Sequence, residues 1–131
     1  MLECLILGDS IAVGIHQSRP ECAVYAKSGI NSRDFVNRYI GKDLVADTVV
    51  ISLGSNDHQG IKTKNELLDL RSQVLAKKVY WILPAIKPDI QEIVEEVANK
   101  HGDWIVKIPS LAQDGIHPST RGYKKIGEII K

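Results

Sequence analysis

Hydrophobic residues along the chain fall into five short runs that alternate with stretches of helical periodicity. Runs of this length, bounded by residues that end regular structure, are typical of buried strands. The predicted strands are residues 2–7, 22–26, 48–53, 79–83 and 104–107. Because strands that alternate with helices form βαβ units, the pattern predicts an α/β protein with a five-stranded parallel sheet between two helical layers.

The segments between the strands carry helix start and stop signals. Thr63 and Glu66 have the spacing of a capping box at a helix start. Pro88 suits the first turn of another helix, which Gly102 is expected to end. Two further helices are predicted from Ser32 to Gly41 and after Ser119.

Polar motifs follow three of the predicted strands. Gly8-Asp9-Ser10 follows the first, Gly54-Ser55-Asn56-Asp57 the third, and Asp114-Gly115-Ile116-His117-Pro118 lies beyond the fifth. The common doubly wound order 2-1-3-4-5 makes strands 1 and 3 neighbours at the point where ligands bind. Strand 5 would lie about 14 Å from strand 1, and residues 108–117 can span up to about 33 Å. Ser10, His117 and Asp114 can therefore meet as a nucleophilic triad.

Length and charge narrow the classes of protein that remain. A chain of 131 residues buries enough surface for one core, so we expect residues 1–131 to form a single domain. The formal net charge is +1, with Lys and Arg spread along the chain, and it indicates no nucleic-acid or membrane partner. The first apolar run is too short for a membrane span or a secretory signal. We expect a cytoplasmic protein, unless a leader has been removed.

The two cysteines, Cys4 and Cys22, fall on two predicted strands and lack Cys-x-x-Cys spacing. Both are predicted to be buried free thiols, with a disulfide as the alternative. Trp81 and Trp104 fall inside strands and are predicted to lie in the core. The remaining histidines, His16, His58 and His101, are interpreted as surface or packing residues.

The motifs resemble the four sequence blocks of the SGNH, or GDSL, hydrolases, and the resemblance covers nearly the whole chain. This family has short flavodoxin-like domains. Similarity of Gly8-Asp9-Ser10 to the first block implies that Ser10 is the nucleophile and that its backbone N–H is an oxyanion donor. Lys27-Ser28-Gly29-Ile30 resembles the second block, which implies a second backbone donor at Gly29.

The third and fourth blocks complete the resemblance. The third implies that the side-chain amide of Asn56 is another oxyanion donor, and the fourth that Asp114 orients the base His117. The family hydrolyses esters, thioesters and carbohydrate O-acyl groups. Because the chain lacks inserted segments that could build a deep acyl groove, we expect a small, open acyl pocket and short acyl groups such as acetyl.

These residue types fit acyl transfer. A serine hydroxyl needs a base to take its proton, and histidine can do so near neutral pH. The attacked carbonyl oxygen needs donors already in place, and Gly29 has no Cβ to obstruct a close backbone approach. No nucleotide-binding glycine motif and no metal-ligand spacing occurs in the sequence, so we infer no cofactor and no metal.

The sequence also allows other interpretations of the same residues. Ser10 could be a helix N-cap, and Asp9 and Asp57 are interpreted as structural. A phospho-receiver domain would use Asp57 and Lys107, but it needs an acidic pair after strand 1, where only Asp9 stands. A catalytically silent carbohydrate-binding module on the same fold is the other alternative.

Overall fold

Five parallel strands form one sheet in the computed structural model, which describes residues 2–131. The strands are β1 (Leu2–Gly8), β2 (Ala23–Ala26), β3 (Val45–Ser52), β4 (Leu75–Leu83) and β5 (Trp104–Lys107). They lie in the order β2-β1-β3-β4-β5. The predicted α/β class and the order 2-1-3-4-5 are confirmed.

Helices cover both faces of this sheet. They are α1 (Ser10–Ser18), α2 (Ser32–Tyr39), α3 (Thr63–Ser72), α4 (Pro88–His101) and α5 (Thr120–Ile129). Buried side chains of α2, α3 and α4 share one apolar cluster, and those of α1 and α5 share another. Successive strand side chains point to opposite faces, so Leu5 packs in the first cluster and Ile6 in the second. None of the helices within residues 2–131 is long and apolar enough to cross a membrane.

Most helix boundaries follow their sequence signals, but the predicted capping box at Thr63 is wrong. Helix α4 begins at Pro88 and ends before Gly102, whose φ of 69° suits glycine. In α3 the N-cap residue is Lys62, which makes no side-chain cap bond. The hydroxyl of Thr63 donates instead to Oδ2 of Asp57, 2.6 Å away. The Thr63 hydroxyl is therefore used in a tertiary hydrogen bond and does not cap the helix.

The prediction that Trp104 lies in the core is also wrong, whereas Trp81 is buried. Trp104 is 61% exposed at the start of β5. Because β5 is a short edge strand with a neighbour on one side only, its first residue is not enclosed.

A disulfide joins Cys4 and Cys22, so the prediction of free thiols is wrong. Cys4 lies in β1, and Cys22 directly precedes β2. The parallel register pairs Leu5 with Ala23 and leaves the two cysteine Cα atoms 4.9 Å apart. This separation is within the range that a disulfide bridges. The bond therefore lies in the apolar layer between the sheet and helices α1 and α5.

Reduction of this disulfide is expected to lower the free energy of unfolding by about 3 kcal/mol, because the bond closes a loop in the unfolded chain. The loop spans a sequence separation of 18 residues. Urea unfolding with and without a reductant measures the difference. The Cys4→Ala/Cys22→Ala double variant should show no response to the reductant. Two reactive thiols in the unfolded, unreduced wild-type protein would contradict the prediction.

Candidate active site

Ser10 lies at the carboxyl edge of the sheet, in a sharp turn between β1 and α1. The turn starts at Gly8, where φ is 144° and a Cβ would collide with the carbonyl group of Ser52 in β3. The next residue, Asp9, is the N-cap of α1 and accepts a hydrogen bond from the N–H of Ile11. Ser10 is thus the first helical residue and not the cap, so its hydroxyl is free for another partner.

That partner is His117, which stands 107 positions away in the sequence. The Ser10 Oγ lies 2.8 Å from His117 Nε2, and His117 Nδ1 lies 2.7 Å from Asp114 Oδ2. The side chains of His117 and Asp114 are 40% and 46% exposed. Serine, histidine and aspartate therefore form one hydrogen-bonded chain at an open surface.

The segment after β5 is folded tightly enough to hold His117 in place. An antiparallel bridge joins Leu111 to Pro118, and the Ala112 N–H donates to the His117 carbonyl at 2.8 Å. Gly115, with φ of 70°, makes the turn between them. The segment crosses the sheet edge as predicted and ends in a short hairpin that carries the histidine.

Asp114 is held in its charged form by donors of the same hairpin. Its Oδ1 accepts from the backbone N–H groups of Ile116 and His117 at 2.9 and 3.0 Å. These two bonds, followed by the bond from the His117 ring, lower the pKa of Asp114 from its ordinary 3.8 to about 2. The carboxylate is therefore ionised throughout the neutral range and can stabilise an imidazolium.

The loop after β2 carries Gly29 and is tied to the end of β1. The Lys27 N–H donates to the Gly8 carbonyl at 3.0 Å. Gly29 has a φ of 81°, and a Cβ added there would meet nothing within 4 Å. The glycine is required for its backbone conformation, and the structure gives no steric reason of the kind that the sequence suggested.

The loop after β3 brings Asn56 to the same place. Its Nδ2 donates to the carbonyl of Ile30, the residue after Gly29, at 3.0 Å. An amide group has a second N–H, which this bond leaves free. The structure therefore brings Gly29 and Asn56 together at the carboxyl edge of the sheet.

Asp57 fixes the loop after β3 by hydrogen bonds to α2 and α3. Its Oδ1 accepts from the Ser32 N–H at 2.8 Å and its Oδ2 from the Thr63 hydroxyl. The residue is only 3% exposed. Both oxygens are occupied and enclosed, which agrees with the structural role expected for Asp57 and counts against its use as a phosphate acceptor.

Asp9, next to Ser10, is almost fully buried. Its Oδ1 accepts from the Ile11 N–H and the Ser52 hydroxyl, whereas its Oδ2 finds no hydrogen-bond partner among residues 2–131. Burial raises the pKa of Asp9 from its ordinary 3.8 to about 6, although both hydrogen bonds oppose the shift. The residue is structural, as expected, and ionises only close to neutral pH.

An open groove of about 760 Å³ begins one residue beyond Asn56. The segments 57–65 and 87–93 form its walls, and exposed His58 is among its lining residues. Its lining is mixed: polar side chains such as Gln59, Asn65 and Asp89 alternate with the isoleucines at positions 61, 90 and 93. The groove is therefore open to solvent and lies beside the Asn56 loop.

Sequence reasoning missed the hydroxyl groups that fix the two buried aspartates. Ser52 serves Asp9 and Thr63 serves Asp57. A signal was present for Ser52, because it interrupts the apolar run of β3 immediately before the third motif. Within residues 2–131, no group of three or more His, Cys, Asp or Glu side chains is arranged to hold a metal ion.

Comparison with known proteins identifies the fold. No protein-family model and no curated protein sequence matches the chain. A candidate acylhydrolase of Bacteroides fragilis matches in structure with a TM-score of 0.71, at 19% identity over 98% of this chain and 84% of that one. A candidate GDSL-like lipase of Bacteroides ovatus matches with a TM-score of 0.69, at 16% identity over 98% and 95% of the two chains.

A third structure extends the comparison to a carbohydrate esterase. The family 3 carbohydrate esterase of Clostridium thermocellum matches with a TM-score of 0.55, at 13% identity over 98% of this chain and 92% of that one. The chain therefore has the fold of the SGNH, or GDSL-like, hydrolases.

The buried carboxyl of Asp9 should make stability fall with rising pH. Its pKa is higher in the folded protein, about 6, than its ordinary 3.8. The folded state therefore holds the extra proton between these values, and the free energy of unfolding decreases as pH rises through them. From pH 4 to 7 the Asp9→Asn variant should gain on the order of 3 kcal/mol relative to wild type. Chemical denaturation at several pH values measures this gain, and parallel pH curves for the two proteins would contradict it.

Proposed function

We propose that this protein is a serine esterase of the SGNH class, with Ser10 as nucleophile, His117 as base and Asp114 as its orienting carboxylate. The observation that carries the proposal is the hydrogen-bonded chain of these three side chains, with distances of 2.8 and 2.7 Å. The fold shared with esterases and acylhydrolases supports ester hydrolysis in general. The four sequence motifs support the assignment of residues.

In the first half of the reaction, Ser10 Oγ forms a bond to the acyl carbon while His117 Nε2 takes the hydroxyl proton. The carbonyl π electrons move to the oxygen and leave an oxyanion. When this intermediate collapses, the bond to the alcohol oxygen breaks, and His117 returns its proton to the leaving alcohol. The acyl group is then esterified to Ser10. Asp114 remains ionised throughout and stabilises the imidazolium.

The oxyanion would be bound by three N–H donors. Ser10 N–H lies in the first turn of α1, where backbone donors have no partner within the helix. The Gly29 N–H and the free N–H of the Asn56 amide are the other two. Donors of this kind act mainly on the transition state, because the negative charge is absent from the bound ester and develops as the tetrahedral intermediate forms.

In the second half, His117 takes a proton from water as the water oxygen bonds to the acyl carbon. The second tetrahedral intermediate expels Ser10 Oγ, which recovers its proton from His117. The products are a carboxylic acid and the regenerated enzyme.

We further propose a short acyl group on a polar alcohol, such as a carbohydrate O-acetyl ester. The part-exposed Ser10 and His117 side chains lie at an open surface, and the segment from β1 to α1 is a single residue long. A deep acyl tunnel needs longer inserts or a lid. The groove beyond Asn56 includes hydrogen-bonding side chains, Gln59, Asn65 and Asp89, that can contact the hydroxyls of such an alcohol.

The disulfide changes the expected location. Disulfides persist in oxidising compartments and are rare in the cytoplasm. The Cys4–Cys22 bond therefore favours an extracytoplasmic setting over the cytoplasmic one expected from the sequence.

Replacing the nucleophile tests the assignment directly. Ser10→Ala should abolish aryl-ester hydrolysis and labelling by a fluorophosphonate, because no other hydroxyl bonds to His117 Nε2 among the described residues. Ser28→Ala, at an exposed serine of the same rim, should retain both. Labelling of another serine in the Ser10→Ala variant would overturn the assignment. A wild-type protein that binds acetylated carbohydrate without hydrolysing it would instead be the silent binding module.

The acyl preference can be measured with p-nitrophenyl esters of increasing chain length. We expect kcat/KM to be highest for acetyl or similarly short groups and to fall for chains of eight or more carbons, because an open site buries little of a long chain. A maximum at long chains would show that the groove binds the acyl group.

A further inference from the structure

Lys87 contacts the loop of Asn56 on both sides of that residue. Its ammonium Nζ donates to the carbonyl of Ser55 at 2.8 Å and to the carbonyl of Asp57 at 2.7 Å. These two carbonyls belong to the residues that flank Asn56. Because the donor is charged and half-buried, the bonds are stronger than those between neutral groups.

The backbone of Lys87 adopts a left-handed conformation that is unfavourable for any residue with a Cβ. Its φ is 64° and its ψ 84°, and no other residue except glycine has a positive φ in the described part of the chain. The following Pro88 restricts the backbone further. Glycine would adopt this conformation with less strain. Such strain persists only where the surroundings enforce it, and it is concentrated at functional sites.

Hydrogen bonds in the first turn of α4 fix the backbone of Lys87. The Lys87 carbonyl accepts from the N–H groups of Ile90 and Gln91 at 3.0 Å. The Ile90 side chain also packs against Gly54, where an added Cβ would lie 2.7 Å from Ile90 Cγ2. The start of α4 thus holds the loop at its first glycine and at the two peptide groups around Asn56.

The Asn56 side chain itself is fixed by one bond, from Nδ2 to the Ile30 carbonyl. Its direction therefore also depends on the two peptide groups that Lys87 binds. Building on the proposed esterase function, we propose that Lys87 is a positioning residue that orients the Asn56 amide toward the oxyanion. Lys87 acts through Asn56 and does not itself touch the reacting atoms.

Two substitutions at Lys87 test this role by a split between kcat and KM. Lys87→Met keeps most of the side chain but removes the donor, and kcat should fall by about tenfold, less than the ~10²–10³ loss typical when an oxyanion donor is removed. KM should change less than about twofold, because the amide acts mainly in the transition state. Lys87→Arg should recover most of kcat.

A double-mutant cycle separates positioning from other effects. In an Asn56→Ala background, Lys87→Met should cause no further loss of kcat, because the group it positions is absent. Lys100→Met is the matched control, since it removes an exposed lysine from the last turn of the same helix. That variant should behave as wild type.

The outcomes separate this proposal from the esterase proposal. If wild type is active but the cycle is additive, or if Lys87→Met raises KM alone, the positioning role is wrong and the esterase assignment stands. If wild type hydrolyses no ester, the esterase assignment fails, and the catalytic role of Lys87 fails with it.

Two further measurements test the proposal even if the Lys87→Met variant does not fold. Lys87→Gly relieves the backbone strain and should fold, yet it should show the same loss of kcat; full activity would overturn the proposal. The Asp57 N–H, which donates to the Gly54 carbonyl at 3.0 Å, should exchange faster with solvent in both variants. Unchanged exchange would show that Lys87 does not hold the loop.

Discussion

The close approach of β1 and β3 at their carboxyl ends is the constraint on which the site depends. Gly8 lacks a Cβ where one would strike Ser52, and the Asp9 N–H donates to the Ser52 carbonyl at 3.0 Å. The same serine gives its hydroxyl to Asp9, which caps α1 and so sets where Ser10 begins the helix. Because β1 and β3 flank the point where the chain reverses its winding direction, loops from both sides of the sheet converge there. The hydrogen-bonded triad is the outcome of this backbone contact.

Asp9, which precedes Ser10 in the chain, and Asp114, which is linked to Ser10 through His117, show how the environment gives identical groups different properties. Asp9 is enclosed, and burial raises its pKa to about 6; it serves as a cap. Asp114 lies at the surface among three N–H donors, which lower its pKa to about 2, and it faces the histidine. In the proposed mechanism Asp114 must stay charged beside an imidazolium, and the donors around it hold it in that form. Burial of the Asp9 carboxyl lowers the stability of the folded protein, but the turn before Ser10 requires this residue as its helix cap.

The architecture, and the approach of Ser10, His117 and Asp114 to one another, could be predicted from sequence because they depend on local signals. Apolar runs defined the strands, and four separate motifs marked the loops at one sheet edge. The predictions that failed depended on contacts that lie outside the local sequence pattern. The Thr63 motif lost its cap to Asp57, and the Cys4–Cys22 bond follows from the register of β1 against β2. The role of Lys87 rests on a backbone conformation that no residue pattern reveals. Trp104 is exposed because β5 lies at the edge, a property of the whole sheet.

The disulfide has a consequence beyond the stability of the monomer. Strand β2 is an edge strand of four residues, held to the sheet by β1 alone. Edge strands of this kind can detach and pair with another molecule, which leads to strand exchange and aggregation. The bond between Cys4 and Cys22 attaches the start of β2 covalently to its neighbour. While that bond is intact, β2 cannot be traded between molecules, and the loop that carries Gly29 stays with the serine of its own chain.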